Sequence, residues 1–133
     1  MGMQRSRSSV SKVRAHIDKG RRVIQVEAEA LQAIRRRLDQ TFALTVQAML
    51  EVIQSGRKII VTGIGKSGQV GAKIAATLSS TGAPSVVLDA VNASHGDLGM
   101  ISQGDLILIL SYSGETEEVV RLVPSLKDRK SVV

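Results

Sequence analysis

The feature that most constrains the fold is an alternation in the second half of the chain. Lys58–Gly63 (KIIVTG), Ser85–Leu88 (SVVL) and Leu106–Ser111 (LILILS) are short, β-branched or aliphatic runs that read as strands. Ser67–Ser80 is Ala-rich and reads as a helix. Glu115–Lys127 reads as another, with acids in its first turn where the helix dipole favours them. Runs apolar on both faces need cover on both faces. Strands alternating with helices therefore mean right-handed βαβ units and a parallel, doubly wound α/β sheet. The third run is the most apolar and is expected at the centre. Asp89–Gly104 shows little periodicity and reads as a loop. The final Ser131-Val132-Val133 reads as the stub of a fourth strand. A sheet of three strands and a stub would leave an exposed edge, which is expected of the front part of a longer protein.

Before the first strand, apolar residues recur at helical spacing from Ile17 through Ile24, Leu31, Leu38 and Val46 to Ile53. Asp39-Gln40-Thr41 offers capping chemistry midway, so two helices are expected, about 13–38 and 40–55, the second ended by Gly56. Residues 1–11 are expected to be a disordered basic tail, and residues 12–133 the helices plus the sheet domain. The 133 residues suffice for one domain. The net charge of +6 belongs to the tail: residues 1–22 hold seven of the 18 Lys and Arg residues and one acid. Aromatic residues make up only 2% of the chain, too few for a base-stacking surface, so no nucleic-acid partner is expected. No apolar run approaches a membrane span and no signal peptide is evident, so no membrane partner and a cytoplasmic location are expected. The absence of Cys excludes thiol chemistry and disulfides.

The glycine-rich stretch VTGIGKSGQVG (61–71) links the first strand to the next helix. A P-loop would need its first glycine at position 60, which is Ile60, so a triphosphate cradle is excluded. Gly63-x-Gly65-x-x-Gly68, with Asp89 roughly 20 residues further on, satisfies the dinucleotide fingerprint by spacing and keeps an NAD-binding Rossmann domain as an alternative. The third strand weighs for a compact phosphate ester. It runs into Ser111-Tyr112-Ser113-Gly114-Glu115-Thr116 at a helix start, and ligands of open α/β sheets sit beyond the carboxyl ends of the strands. If the first and third strands are neighbours, Gly65, Ser67 and Gly68 meet Ser111, Ser113, Gly114 and Thr116 over one crevice, where backbone N–H groups and hydroxyls can hold an anion.

These residues carry a family resemblance. VTGIGKSGQVGAKIAATLSSTGAPS, SHGDLGMI and LSYSGETEEVVRLVPSLK resemble the sugar isomerase (SIS) domain of arabinose-5-phosphate isomerases of the KpsF/GutQ/KdsD type, from about His16 to the end of the chain. The resemblance implies a SIS-type parallel sheet and reversible conversion of D-ribulose 5-phosphate to D-arabinose 5-phosphate, without a cofactor. That reaction feeds Kdo synthesis for lipopolysaccharide. It also implies a homo-oligomer, tetrameric in the full-length family, and a following pair of CBS domains, which this sequence does not contain. Gly82, at the end of the first motif, joins the binding candidates.

Aldose–ketose isomerisation needs a base, a group to manage the protons of two oxygens, and a cation for developing negative charge. Lys66, among glycines at a helix start, is a candidate cation. His95, in the weakly patterned loop beside Asp97, is a candidate for chemistry. By resemblance, Lys66 matches the family's catalytic lysine and Glu118 a glutamate of its acid–base chemistry. Asp89 and Asn92 replace a family histidine that can join a metal site and an acid, so the metal is left unassigned. The family's remaining catalytic glutamate and histidine fall beyond Val133. The chain is therefore expected to recognise the sugar phosphate in part and to turn it over weakly or not at all. A non-catalytic sugar-phosphate sensor is the other class, since SIS modules occur in regulators. Those carry a preceding helix-turn-helix module, which is not expected in the short basic stretch before the first helix.

Overall fold

The structure, a computed structural model, describes residues 3–91, 93 and 97–128, with side-chain environments from residue 10 onward. Asn92, His95 and the expected fourth-strand stub lie outside the described residues. The chain divides into two compact units, Met1–Phe42 and Ala43–Val133.

Helix α1 spans Met3–Arg37 and so reaches into the stretch expected from sequence as a tail. Three arginines, Arg35, Arg36 and Arg37, fill its last turn and complement the helix dipole. The side-chain amide of Gln25 donates to Glu29 Oε1 one turn on, at 2.8 Å. The break falls where the capping residues predict it. The Asp39 carboxylate accepts the Thr41 N–H at 2.9 Å and starts α2, Gln40–Gln54. Gly56, at φ 73°, closes α2 while the Arg57 N–H returns to the Val52 carbonyl.

In the second unit, strands β1 (Ile59–Gly63), β2 (Ser85–Asp89) and β3 (Leu106–Leu110) form a parallel sheet in the order β2-β1-β3. The expectation that the third strand is central is corrected: β1 is central. Ile59, Ile60 and Val61 are fully buried, because this strand has a neighbour on each side and a layer over each face. Among the described residues β3 pairs with β1 alone. It is apolar because helices cover both of its faces. Helix α3 (Lys66–Ser80) returns the chain from β1 to β2, and α4 (Glu117–Asp128) follows β3.

The strand period of two sorts the core. Ile59, Val61 and Leu106 face Val52 of α2 and Ala75 of α3. Ile60, Ile107 and Leu88 face Leu122 and Leu126 of α4. Each such buried aliphatic side chain contributes about 1.5–3 kcal/mol. The weakly patterned loop also contributes to this second face. Ala90, Ala93 and Ile101 are buried there, and its Asp97–Met100 segment is a 3-10 turn.

An ion pair fixes the amino ends of β1 and β3. Asp105, 1% exposed, accepts the Lys58 ammonium at 2.6 Å, the Ser102 N–H at 2.8 Å and the Lys58 N–H at 3.2 Å. Burial alone would raise the Asp105 pKa. The Lys58 and Ser102 hydrogen bonds and the Lys58 charge outweigh it and hold the carboxyl below its ordinary value. Thr62 is the counter-example: its hydroxyl is buried with no hydrogen-bond partner among the described residues.

Substitution should affect these two buried groups in opposite ways. Asp105→Ala should destabilise by about 3 kcal/mol in urea unfolding, since it strands the Lys58 and Ser102 donors. With a folded pKa below the unfolded one, the carboxylate's contribution is complete above about pH 4 and is lost as pH falls through the folded value. Wild type should therefore lose stability over that acid range more steeply than Asp105→Asn. Thr62→Val should leave stability unchanged or raise it by about 1 kcal/mol, because it removes an unpaired hydroxyl at constant shape. A loss above that size would show that the hydroxyl has a partner.

Candidate functional site

Gly63 and Leu110, the last residues of β1 and β3, are paired in register, so the chain leaves both strands at the same edge of the sheet. Close approach of backbone to backbone dictates the path of the chain after β1. A Cβ on Gly63 would lie 2.9 Å from the Leu110 carbonyl oxygen, and one on Gly68 would lie 2.7 Å from the Gly63 carbonyl oxygen. These two glycines let the first turn of α3 rest on strand backbone. Gly65 serves a different need. It has open space around it but sits at φ 58°, ψ −124°, a conformation closed to other residues. The Gly68 and Gln69 N–H groups are spent on the carbonyls of Ile64 and Gly65. Those of Lys66 and Ser67 carry no hydrogen bond among the described residues. Lys66 is exposed and Ser67 half-buried. Of the glycine candidates, then, Gly65 shapes the loop, while Gly68 is a packing residue whose N–H is taken.

The loop after β3 is tied together by its own hydroxyls. Ser111 Oγ accepts the Gly114 N–H at 3.0 Å and lies 3.3 Å from Thr116 Oγ1. Ser113 Oγ accepts the Glu115 N–H at 3.2 Å. Gly114 makes the turn at φ 73°. α4 starts at Glu117, two residues later than the sequence predicts, because Glu115 and Thr116 belong to this turn. A serine that accepts from backbone keeps its O–H proton for a further acceptor. The loop thus presents hydroxyl donors at the start of α4, on the edge where α3 also starts. The starts of α3 and α4 both lie on that edge, and each positive helix end is worth about 0.3–2 kcal/mol toward an anion there.

Glu118 lies on α4 and lines a cleft of about 380 Å³ with Arg121, Leu122 and Ser125 of the same helix and Ala90, Val91 and Leu98 opposite. Residues 118, 121, 122 and 125 follow the i, i+3, i+4, i+7 rule of one helix face, the only signal by which the sequence could have marked Arg121 and Ser125. A smaller cleft, about 260 Å³, runs between Gly63, Gly65 and Gly68 and the end of β2 at Asp89. It occupies the place a dinucleotide fingerprint specifies. Its acid is engaged, however: Asp89 Oδ1 accepts the Val91 N–H at 2.8 Å.

Gly82 is not part of this edge. It is the C′ residue of α3 at φ 90°, with the Gly82 N–H bonded to the Ser79 carbonyl and the Ala83 N–H to the Leu78 carbonyl, a Schellman closure. β2 then begins at Ser85 beside Ile59, so Gly82 lies at the amino end of the strands, opposite the site. His95 lies outside the described residues. Among the described residues no three His, Cys, Asp or Glu side chains are placed to hold a metal, and no helix is long and apolar enough to cross a membrane.

The two glycine roles are separable by substitution. Gly65→Ala should lower stability by about 1–3 kcal/mol through backbone strain alone. Gly68→Ala should have the larger effect in urea unfolding, because carbonyl and helix must move apart. Equal, small effects from both would contradict the packing role.

The model of the SIS domain family matches residues 52–133. The chain is 41% identical over 111 residues to arabinose 5-phosphate isomerase KdsD of Yersinia pestis, covering 84% of this chain and 33% of that protein. It is 45% identical over 109 residues to arabinose 5-phosphate isomerase KpsF of Escherichia coli O6:H1, covering 81% and 32%. It therefore spans about a third of the length of these curated relatives. Among solved structures, c3406 of Escherichia coli CFT073, in a ligand complex, matches with a TM-score of 0.64 and 39% identity over 69% of this chain and 47% of that one. The three parallel strands, the glycine packing of α3 on β1 and the hydroxyl loop after β3 accompany that likeness, and the chain belongs to the SIS domain family.

Proposed function

We propose that the chain carries the sugar-phosphate-recognising part of a cytoplasmic isomerase that interconverts D-arabinose 5-phosphate and D-ribulose 5-phosphate and so feeds Kdo synthesis for lipopolysaccharide. The observation that carries this reading is the parallel β1–β3 pairing, with Gly63 opposite Leu110, which sets the α3 start and the hydroxyl loop on one edge. The relatives' activity supports the choice of sugar.

In this reading the phosphate is held by the Ser67, Ser111, Ser113 and Thr116 hydroxyls and the free first-turn N–H groups, with Lys66 balancing its charge. Glu118 removes the C2 proton of the aldose and returns it to C1, His95 manages the protons of the two oxygens, and no cofactor takes part. The N-terminal helices, which begin at Met3, then precede a partial SIS domain. The assembly is a homo-oligomer, and turnover by this chain alone is weak.

Incubation with arabinose 5-phosphate in D2O, followed by proton NMR, tests the reading. The C2 resonance should broaden with little or no loss by exchange. Absence of both broadening and exchange would contradict it. Ser113→Ala should weaken binding about tenfold while lowering stability by only about 1 kcal/mol, the range of a lost cap. Unchanged affinity would reduce Ser113 to a turn residue.

A further inference from the structure

Among the described residues, the cleft that contains Glu118 holds one cation, and it is Arg121 rather than Lys66. Arg121 stands one turn beyond Glu118 on the same helix face, and aliphatic Ala90, Val91, Leu98 and Leu122 form much of the remaining lining. Its guanidinium pairs with Glu117, but both side chains are more than 70% exposed. An exposed i, i+4 pair of this kind contributes little, so releasing Arg121 from it is inexpensive. The cleft volume of about 380 Å³ lies in the range that encloses a small ligand. The hydroxyl loop sits at the start of α4, and Glu118, Arg121 and Ser125 continue from it along the helix. A ligand held at the loop by its phosphate and lying along this face of α4 would reach Arg121.

Resting on the reading above, we infer that Arg121 is a substrate-binding residue: its guanidinium leaves Glu117 and donates to sugar oxygens in the cleft beside Glu118, while the phosphate stays at the hydroxyl loop. Arginine suits the task because its planar fork donates to two neighbouring oxygens at once, which a lysine cannot match. Glu117 then acts as a competitor for Arg121 in the free protein.

Calorimetric titration of the full chain with arabinose 5-phosphate and, separately, with inorganic phosphate tests this. Arg121→Gln should weaken arabinose 5-phosphate about tenfold or more and leave inorganic phosphate unchanged. Arg121→Lys should recover only part of the loss. Glu117→Gln should bind the sugar phosphate as well as wild type or more tightly, since it frees Arg121. Equal losses in Arg121→Gln and Glu117→Gln would make the pair merely structural and overturn the inference. So would equal weakening of both probes by Arg121→Gln, which would make Arg121 a phosphate contact. In either case the proposed function stands. Failure of wild type to bind either probe would overturn both.

Discussion

The contact on which the rest depends is the meeting of backbone with backbone at Gly63 and Gly68. A helix normally rests on a sheet through side chains. Here the Gly68 Cα position faces the Gly63 carbonyl, with no room for a methyl group between them. The first turn of α3 is thereby drawn down to the end of β1, and Gly71 continues the close fit against Val61 and Leu110. Gly65 then reverses the chain between them in a conformation only glycine holds easily. Lys66 and Ser67 emerge at the strand ends because of this descent. A helix seated on larger side chains would start farther from the crevice.

The second requirement is adjacency. β1 is central, so the loops after β2 and β3 flank it on either side. On the β3 side lie hydroxyl donors whose lone pairs are already engaged by the loop's own amides, which fixes their positions before any ligand arrives. On the β2 side lies Asp89, turned into its own loop. The same fold thus offers a donor-rich edge and an acid-bearing edge, and an anionic ligand favours the first. At the opposite end of the strands the Lys58–Asp105 pair holds β1 and β3 together. A site assembled from two strand ends requires those strands to keep their register.

Much of this was legible in the sequence. The period-2 runs marked the strands, Asp39 the break between the helices, and the glycine spacing a strand–turn–helix. Strand order was not legible. The apolarity of LILIL comes from its two covered faces rather than a central place, and composition cannot separate those causes. Gly82 looked like a member of the loop motif but is a helix terminator, because a positive φ serves a Schellman closure as readily as a ligand loop. Within the glycine motif, spacing alone did not separate Gly68, which packs, from Gly65, which turns. Arg121 was hidden for a similar reason: a basic residue four positions after a glutamate has an adequate explanation as an ion pair.

The central claim is that two loops, after β1 and after β3, form one anion-binding edge. Amide chemical-shift mapping during titration with arabinose 5-phosphate addresses it most directly. The account predicts that the N–H resonances of Lys66 and Ser67 move together with those from Gly114 to Glu117, along one binding curve. Shifts confined to Asp89 and Val91, or two loops responding with different affinities, would contradict it.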